Sequence, residues 1–525
     1  MKQFLNLKNN FFHIFIFIYF FIGVFLSLNV GITHDEYHDL IVWELKKKEF
    51  FNIIFKENYD VSFLGSGGKY YGIGFHLLSL PIETIIKFFL SFFSDFKNAS
   101  NLISKHGSVF IFFLISGIFF QKIILLVTKN KKYSIACTIL YLLYPYLLGH
   151  SFFNIKDVPF LSLWLICTYF ISKILISFFD TKKIRASDSL ILGLLTAFLL
   201  SVRISGVLIL VQYIIFFLIA INISNFNVLN FIKKFKKEIS YFLITFILTF
   251  YILHPVYWED PLAIIEAIKY MSAHVQTVCT ITLGDCMKAQ DLPSTYIPIW
   301  LFFKLPILIL FGLFILPITE KKIFNNSQNS LIIGSLIITL AIIIFILIIF
   351  NVNLYDELRQ IMFIVPLFFL VSLSSIYFFS KKFSYLLTII MIFFFIFQNL
   401  KIFPYNYVWL NNFTFLTKVN KSFELDYWGV STKEIANYFN KKNLGSEVCI
   451  ISNRNDGIKA FMREENCFLS FDKMHSKNKR PFYIALTERS LNKGLPNNCR
   501  NIYNEEIEMN FSKENILLAK VFRCD

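Results

Sequence analysis

Residues 33–38 read THDEYH, and they follow directly on the first long apolar segment of the chain, residues 11–28. That segment holds one His among Phe, Ile, Leu and small residues and is long enough to cross a bilayer. The chain then delivers His34, Asp35, Glu36, His38 and Asp39 to the membrane surface. Carboxylates beside hydrocarbon are costly to place, which marks them as candidates for chemistry.

Composition sets the class. The 525 residues are 56% hydrophobic and 18% aromatic, and the mean hydropathy is +0.59. A soluble core cannot absorb so much apolar surface, so the chain reads as a polytopic α-helical membrane protein. The net charge of +16 would suggest nucleic acid only if the basic residues formed one patch. They occur instead as short Lys clusters between apolar runs, the pattern of membrane topology.

About 11 spans are read, at residues 11–28, 109–127, 133–148, 158–176, 189–202, 204–221, 241–253, 296–316, 331–350, 361–379 and 383–400. The basic clusters lie at 2–8, 129–132, 182–185, 233–237, 321–322 and 381–382. All fall on one side if the N-terminus is cytoplasmic. The run 188–222 is too long for one crossing and is basic at both flanks, so it crosses twice, with SVRISG at 201–206 as the turn. Arg203 then sits at the outer surface. The first span lacks a small-residue cleavage site and reads as an uncleaved anchor.

The expected organisation is a membrane module over 1–400 and an extracytoplasmic domain over 401–525, in an inner (plasma) membrane. Outer loops cover 29–108 and 254–295, and two amphipathic segments in the first, 40–55 and 82–96, read as helices lying in the interface plane. The polar tail carries a helix signal at 431–440 and strand signals at 447–452, 482–486 and 516–522, the pattern of a small α/β domain. Cys137 and Cys167 lie in spans. Cys279, Cys286, Cys449, Cys467, Cys499 and Cys524 all fall on the outer side, which implies disulfides. Cys279–Cys286 reads as a local bridge, and the four tail cysteines allow three pairings. Their spacing does not suit a zinc site.

The outer ends of the spans collect charges that topology does not require. GHSFFNIKDVP at 149–159 carries His150, Lys156 and Asp157, and HPVYWED at 254–260 carries His254, Glu259 and Asp260. YDELR at 355–359 carries Tyr355, Asp356, Glu357 and Arg359. Singly, each has a plain explanation: Asp157 caps a helix, Arg203 snorkels, His254 ends a span. Jointly, acids and cations from five separated segments meet one face at one depth. That suits a site that removes a proton and holds a phosphate.

At these residues the chain resembles the GT-C superfamily of glycosyltransferases. Within it, the chain is most similar to family 39, the protein O-mannosyltransferase-like enzymes, bacterial type. The resemblance rests on the DE pair, FNIKDVPF at 153–160, HPVYWEDP at 254–261, LPSTYIPIWLFFKLP at 292–306, YDELRQIMFIVP at 355–366 and FELDYWGVS at 423–431. It covers roughly residues 1–429. Two motifs depart from the family pattern, NIKD where NPKD is common and DEL where DGL or DGV is usual, and neither loses a charged group.

The resemblance implies inverting transfer of a single hexosyl or pentosyl unit. The donor is a polyprenyl-phosphate-linked sugar, and the acceptor is a protein, lipid or glycan of the cell envelope, met at the outer face of the membrane. No Rossmann or P-loop pattern is present, consistent with a lipid-linked donor rather than a nucleotide sugar. On this reading Asp35 is the general base, oriented by Glu36 or His34. Arg359 and Arg203, then Lys156 and His254, hold the donor phosphate. Asp157, Glu259, Asp260, Tyr355 and Asp356 contact sugar or acceptor. The resemblance fixes no cofactor, and the DE pair could take a divalent cation. The rival readings are an oligosaccharyltransferase- or polymerase-like enzyme of the same fold, and a transporter of lipid-linked glycans, whose charges belong near mid-membrane.

Overall fold

A computed structural model describes the chain apart from residues 1, 55–69, 71, 93–98, 255, 273–277, 443, 445–447, 464–465, 470–481, 488–494, 496–497, 510–513 and 525. It also leaves aside the side chains of 2–10, 49–54, 256, 259, 271 and 272. The expected interface segment 82–96 lies partly outside these described residues.

The molecule is a helical bundle with a small sheet at its C-terminus. Among the described residues six helices are individually long and apolar enough to cross a membrane: Ser100–Thr128, Asp157–Thr181, Ile204–Ser224, Ser327–Ile349, Arg359–Phe379 and Lys381–Ile402. The expected single span 296–316 is instead a bent pair, Tyr296–Lys304 and Ile307–Phe314, which meet at 116°. The cause is local. Pro306 lacks an N–H, and Leu305 before it is extended, with φ −68° and ψ 135°. The pair makes up to seven spans by length and composition. The other four segments of the eleven are also helical: Lys2–Ser27, whose apolar part is Phe11–Ser27, and the shorter Lys131–Leu143 with Pro145–Ser151, Ala186–Val202 and Lys236–Ile252.

The bundle has two chemically different ends. At one, Lys129 donates to Gln328, Gln328 to Asp180, and Asn130 to Tyr377. Phe178, Ile221, Phe231 and Phe235 form a cluster there. The basic clusters from 129 to 382 gather at this lysine-rich end. The chain reverses at Arg203, as the reading of 201–206 expects. The helix Ala186–Val202 leaves the lysine-rich end, where Asp188 pairs with Lys173 at 2.7 Å. Arg203 is extended (φ −147°) and pairs with Asp157 at the far end, and Leu208–Ser224 returns to Phe178. Arg359–Phe379 is the central helix: 94% of its most apolar stretch is buried.

The far end carries the C-terminal sheet. Its strands are β3 (Cys449–Ser452), β4 (Cys467–Leu469), β5 (Phe482–Thr487), β6 (Cys499–Ile507) and β7 (Ile516–Cys524), in the order β4-β3-β5-β7-β6. β3 is parallel to both its neighbours, while β7 is antiparallel to β5 and β6. β4 and β6 carry no strand signal in the sequence, because β4 is three residues long and β6 is a polar edge strand. Disulfides Cys449–Cys467 and Cys499–Cys524 tie β3 to β4 and β6 to β7, which decides among the three pairings. An earlier hairpin, β1 (Cys279–Thr282) with β2 (Asp285–Lys288), is closed by Cys279–Cys286. The sheet domain is docked by the turn 426–431: His34 N–H donates to the Trp428 carbonyl (3.3 Å) and Thr432 Oγ1 to the Ile32 carbonyl (3.4 Å).

Candidate active site

THDEYH is not a loop but the first turn of the helix His34–Ile54. The reason is a capping box. Thr33 stands at the cap, Glu36 three residues on, and the Thr33 N–H donates to Glu36 Oε2 at 2.6 Å. Helical spacing then aims neighbouring acids apart. Glu36 is buried, and its Oε1 meets His106 Nε2 at 2.5 Å. Asp35 borders the same cavity as Glu36 but pairs with Arg359 instead and remains 37% exposed. The two carboxylates therefore do not converge on a common cation. Among the described residues no group of three His, Cys, Asp or Glu side chains is arranged to hold a metal.

Asp35 Oδ2 lies 3.2 Å from Arg359 Nη1. The same guanidinium reaches Asp356 at 2.9 Å and Asp157 at 3.9 Å. It lies between the rings of Tyr355 and Trp428, with centroids 4.9 and 4.6 Å away. Asp157 takes Arg203 as a second cation, and Lys156 pairs with Asp39 at 2.5 Å. Asn154 organises this segment: its Oδ1 accepts the Asp157 N–H (2.8 Å) and its Nδ2 donates to Asp157 Oδ2 (3.1 Å). Asp157 thus enters the helix Asp157–Thr181 already oriented.

Charge tunes the acids differently. Burial pushes the Asp35 carboxyl up, but Arg359 and then Lys156 outweigh it and hold it below its usual range. Burial, aided by Asp35, pushes Asp39 up against the pull of Lys156. At neutral pH Asp35 is an anion with one face open.

Arg359 is set by its turn. Asp356 and Glu357 both have left-handed backbones, with φ of 58° and 64°. Such residues without a glycine are strained and persist only when their surroundings hold them. Three contacts do so. The Asp356 N–H donates to Thr280 Oγ1 of β1 (2.9 Å), Tyr296 OH donates to the Glu357 carbonyl (3.2 Å), and Glu357 pairs with Lys304 at 2.7 Å with both side chains fully buried.

The expected residues divide clearly. Asp35, Lys156, Asp157, Arg203, Tyr355, Asp356 and Arg359 come together, with Asp39 beside them. His34 lies next to them but faces the sheet domain across another cavity. His254 stands apart: it is buried between Phe250 and Tyr257, its Nδ1 is 2.8 Å from the Phe250 carbonyl, and burial pushes its imidazole down to about 3. Asp260 is exposed, and its Oδ1 accepts the Leu262 N–H at 2.9 Å before the helix Ala263–Ser272. The Glu259 side chain is outside the described residues. Sequence reasoning passed over Asn154, Trp428, His106 and the buried pair Lys105–Glu83 (2.8 Å). SKHGS at 104–108 was the available signal for His106 and Lys105, since it places two basic side chains one turn before a span.

Three cavities lie in series here. The middle one, about 210 Å³, is lined by Asp35, Asp39, Lys156, Arg359 and Trp428. It shares Asp39 and Lys156 with a cavity of about 420 Å³, walled by Trp43, Lys46, Phe75 and His76. On its other side it shares Thr33 and Trp428 with a cavity of about 560 Å³ against the sheet domain.

No protein-family model matches the chain, and none of the curated proteins matches it. Among solved structures the chain is similar to ArnT from Cupriavidus metallidurans in its apo state, with a TM-score of 0.51 and 10% identity over 98% of each chain. The crystal structure of the same protein bound to undecaprenyl phosphate aligns over the same shares with a TM-score of 0.46 and 10% identity. The chain therefore has the GT-C fold, with a small sheet domain at its C-terminus.

Proposed function

We propose that the chain is an inverting glycosyltransferase. It takes one sugar from a polyprenyl-phosphate-linked donor and passes it to an acceptor hydroxyl or amine at the outer face of the plasma membrane. The observation that carries this reading is the ionised, partly open Asp35 at the narrow junction between two larger cavities. The affinity to family 39 and its mannosyltransferase-like members is part of the same reading, as are the cytoplasmic N-terminus and the extracytoplasmic tail. The fold shared with ArnT supports a lipid-linked donor, and the charge pattern supports the orientation.

The chemistry follows from placement. Asp35 accepts the proton of the acceptor as its oxygen or nitrogen attacks the anomeric carbon. The bond from that carbon to the phosphate oxygen breaks, and the polyprenyl phosphate leaves as an anion. Inversion needs attack and departure on opposite faces, which two cavities meeting at Asp35 would provide. The cavity lined by Lys46, Lys156 and Trp43 suits the donor, and the ammonium of Lys156 and the guanidinium of Arg203 suit the departing charge. Arg359 is nearly buried and engaged with three carboxylates, so it acts mainly by orienting Asp35. A phosphate drawn to Lys156 also relieves its pull on Asp35, which strengthens the base as the donor binds.

The test is transfer from a synthetic polyprenyl-phosphate sugar in detergent, where sidedness is lost and flipping is not required. Asp35→Asn should slow transfer by roughly two to four orders of magnitude. Wild-type rates in that variant would remove Asp35 as the base. Wild-type protein that transfers nothing yet moves such lipids across liposomes would be a transporter.

A further inference from the structure

The cavity against the sheet domain has walls from two distant parts of the chain. His34 and Tyr37 come from the first turn of one helix. Asn453, Asn455 and Asp456 come from the segment that follows β3. Trp428 lines this cavity and the Asp35 cavity together. A molecule seated against the sheet domain therefore reaches Asp35 past one indole ring.

The wall chemistry is distinctive. Two aromatic rings stand among amides, a carboxylate, an imidazole and a guanidinium, with Ile32 as the single aliphatic side chain among the lining residues. Tyr37 is 42% exposed. Asn455 Nδ2 is used on the Leu469 carbonyl at 2.9 Å, while its Oδ1 is buried with no hydrogen-bond partner among the described residues. The indole Nε1 of Trp428, a residue only 5% exposed, is likewise buried without a partner among them. Buried polar atoms left in this condition are costly, and a ligand that pairs them recovers the cost. One acceptor and one donor thus stand unpaired in residues that line the cavity.

These features select among acceptors. A lipid tail needs an apolar wall, and this one is polar. An extended peptide adds to a sheet edge, but the cavity sits at the end of β3, which is flanked by β4 and β5. A sugar ring offers flat C–H faces to aromatic rings, and its hydroxyls both donate to carboxylates and exchange hydrogen bonds with amides. We propose that this cavity is a saccharide subsite that holds a glycan acceptor and presents one of its hydroxyls to Asp35. The assignment rests on the glycosyl transfer proposed above.

The test uses the full chain in detergent with a synthetic polyprenyl-phosphate sugar and two acceptor probes, a methyl disaccharide and a Ser/Thr peptide. Asp456→Ala and Tyr37→Ala alter exposed side chains, and unchanged melting temperatures confirm that each variant folds. Each should raise KM for the disaccharide about tenfold, the loss of one good contact, with the effect on KM rather than kcat. An unchanged KM in both overturns the saccharide subsite while leaving the transferase reading intact. Transfer to the peptide but not to the disaccharide by wild-type protein overturns it as well. Transfer to neither probe also overturns the saccharide subsite, and the proposed function itself falls if the wild-type protein releases no polyprenyl phosphate from the donor with any protein, lipid or glycan acceptor.

Discussion

Asp35 and Arg359 are 324 positions apart in the chain, yet Asp35 Oδ2 and Arg359 Nη1 stand 3.2 Å apart. The guanidinium also grips Asp356 at 2.9 Å, within its own turn. The orientation of the candidate base at the start of the chain is therefore set by a strained turn before the central helix.

The pH profile should report this link. Arg359 is the largest influence that lowers the Asp35 carboxyl against its burial. The base works as an anion, so the wild-type acid limb of kcat/KM due to Asp35 should lie below the ordinary carboxylate value of about 3.9. In Arg359→Gln the limb should move to higher pH, because burial then acts with less opposition. The linked stability has the same sign: a lowered carboxylate stabilises the fold above its unfolded pKa and loses that contribution as pH falls through the folded value. Kinetics across pH would show it, and an unmoved acid limb would mean that Arg359 does not tune Asp35.

Glu36 should prove structural where Asp35 is chemical. It closes the Thr33 cap at 2.6 Å and meets His106 at 2.5 Å, out of contact with Arg359. Glu36→Ala leaves a buried amide and a buried imidazole short of partners. It should cost about 1–3 kcal/mol of stability. Thermal melting should therefore separate Glu36→Ala from Asp35→Asn, which gives up the stabilisation of one partly exposed ion pair, melts closer to wild type and loses transfer. A Glu36 variant that melts as wild type but fails in catalysis would reverse these roles.

The pair Lys304–Glu357 is fully buried at 2.7 Å and steadies the turn that carries Arg359. Removing either partner strands a charge and should destabilise by about 3–5 kcal/mol. The double variant Lys304→Met/Glu357→Leu strands none and should recover much of that loss. Chemical denaturation of all four proteins closes the cycle. Additive losses would show that the two side chains do not support one another.

The proposed orientation places the lysine-rich end in the cytoplasm. A reporter active only outside the cytoplasm should be active when fused after Asp525 and silent when fused at Lys131. Non-reducing digestion should recover Cys279 with Cys286, Cys449 with Cys467, and Cys499 with Cys524, the three bridges in the structure. Activity at Lys131 would invert the topology and move the site to the other face.

Much of the architecture follows from the sequence alone, because hydrocarbon provides no partners for backbone groups and forces apolar runs into helices. The long runs became helices and the reversal fell at Arg203, while lysines gathered at one end because charged loops between spans are sorted to one side of a membrane. The motif THDEYH likewise announced an acidic turn beside the first span. Tertiary structure decided which charges meet. Asp157 and Arg203 are 46 positions apart, and Glu36 and His106 are 70 apart. No local pattern can match such partners, since ion pairing depends on which helices are neighbours and which faces they turn to one another. Both carboxylates border the same cavity, yet within one turn Asp35 takes Arg359 as its partner and Glu36 takes His106, a division invisible in the adjacent letters DE. Trp428 shows the same limit: the motif FELDYWGVS marks its segment, but only the fold lays its ring over Arg359.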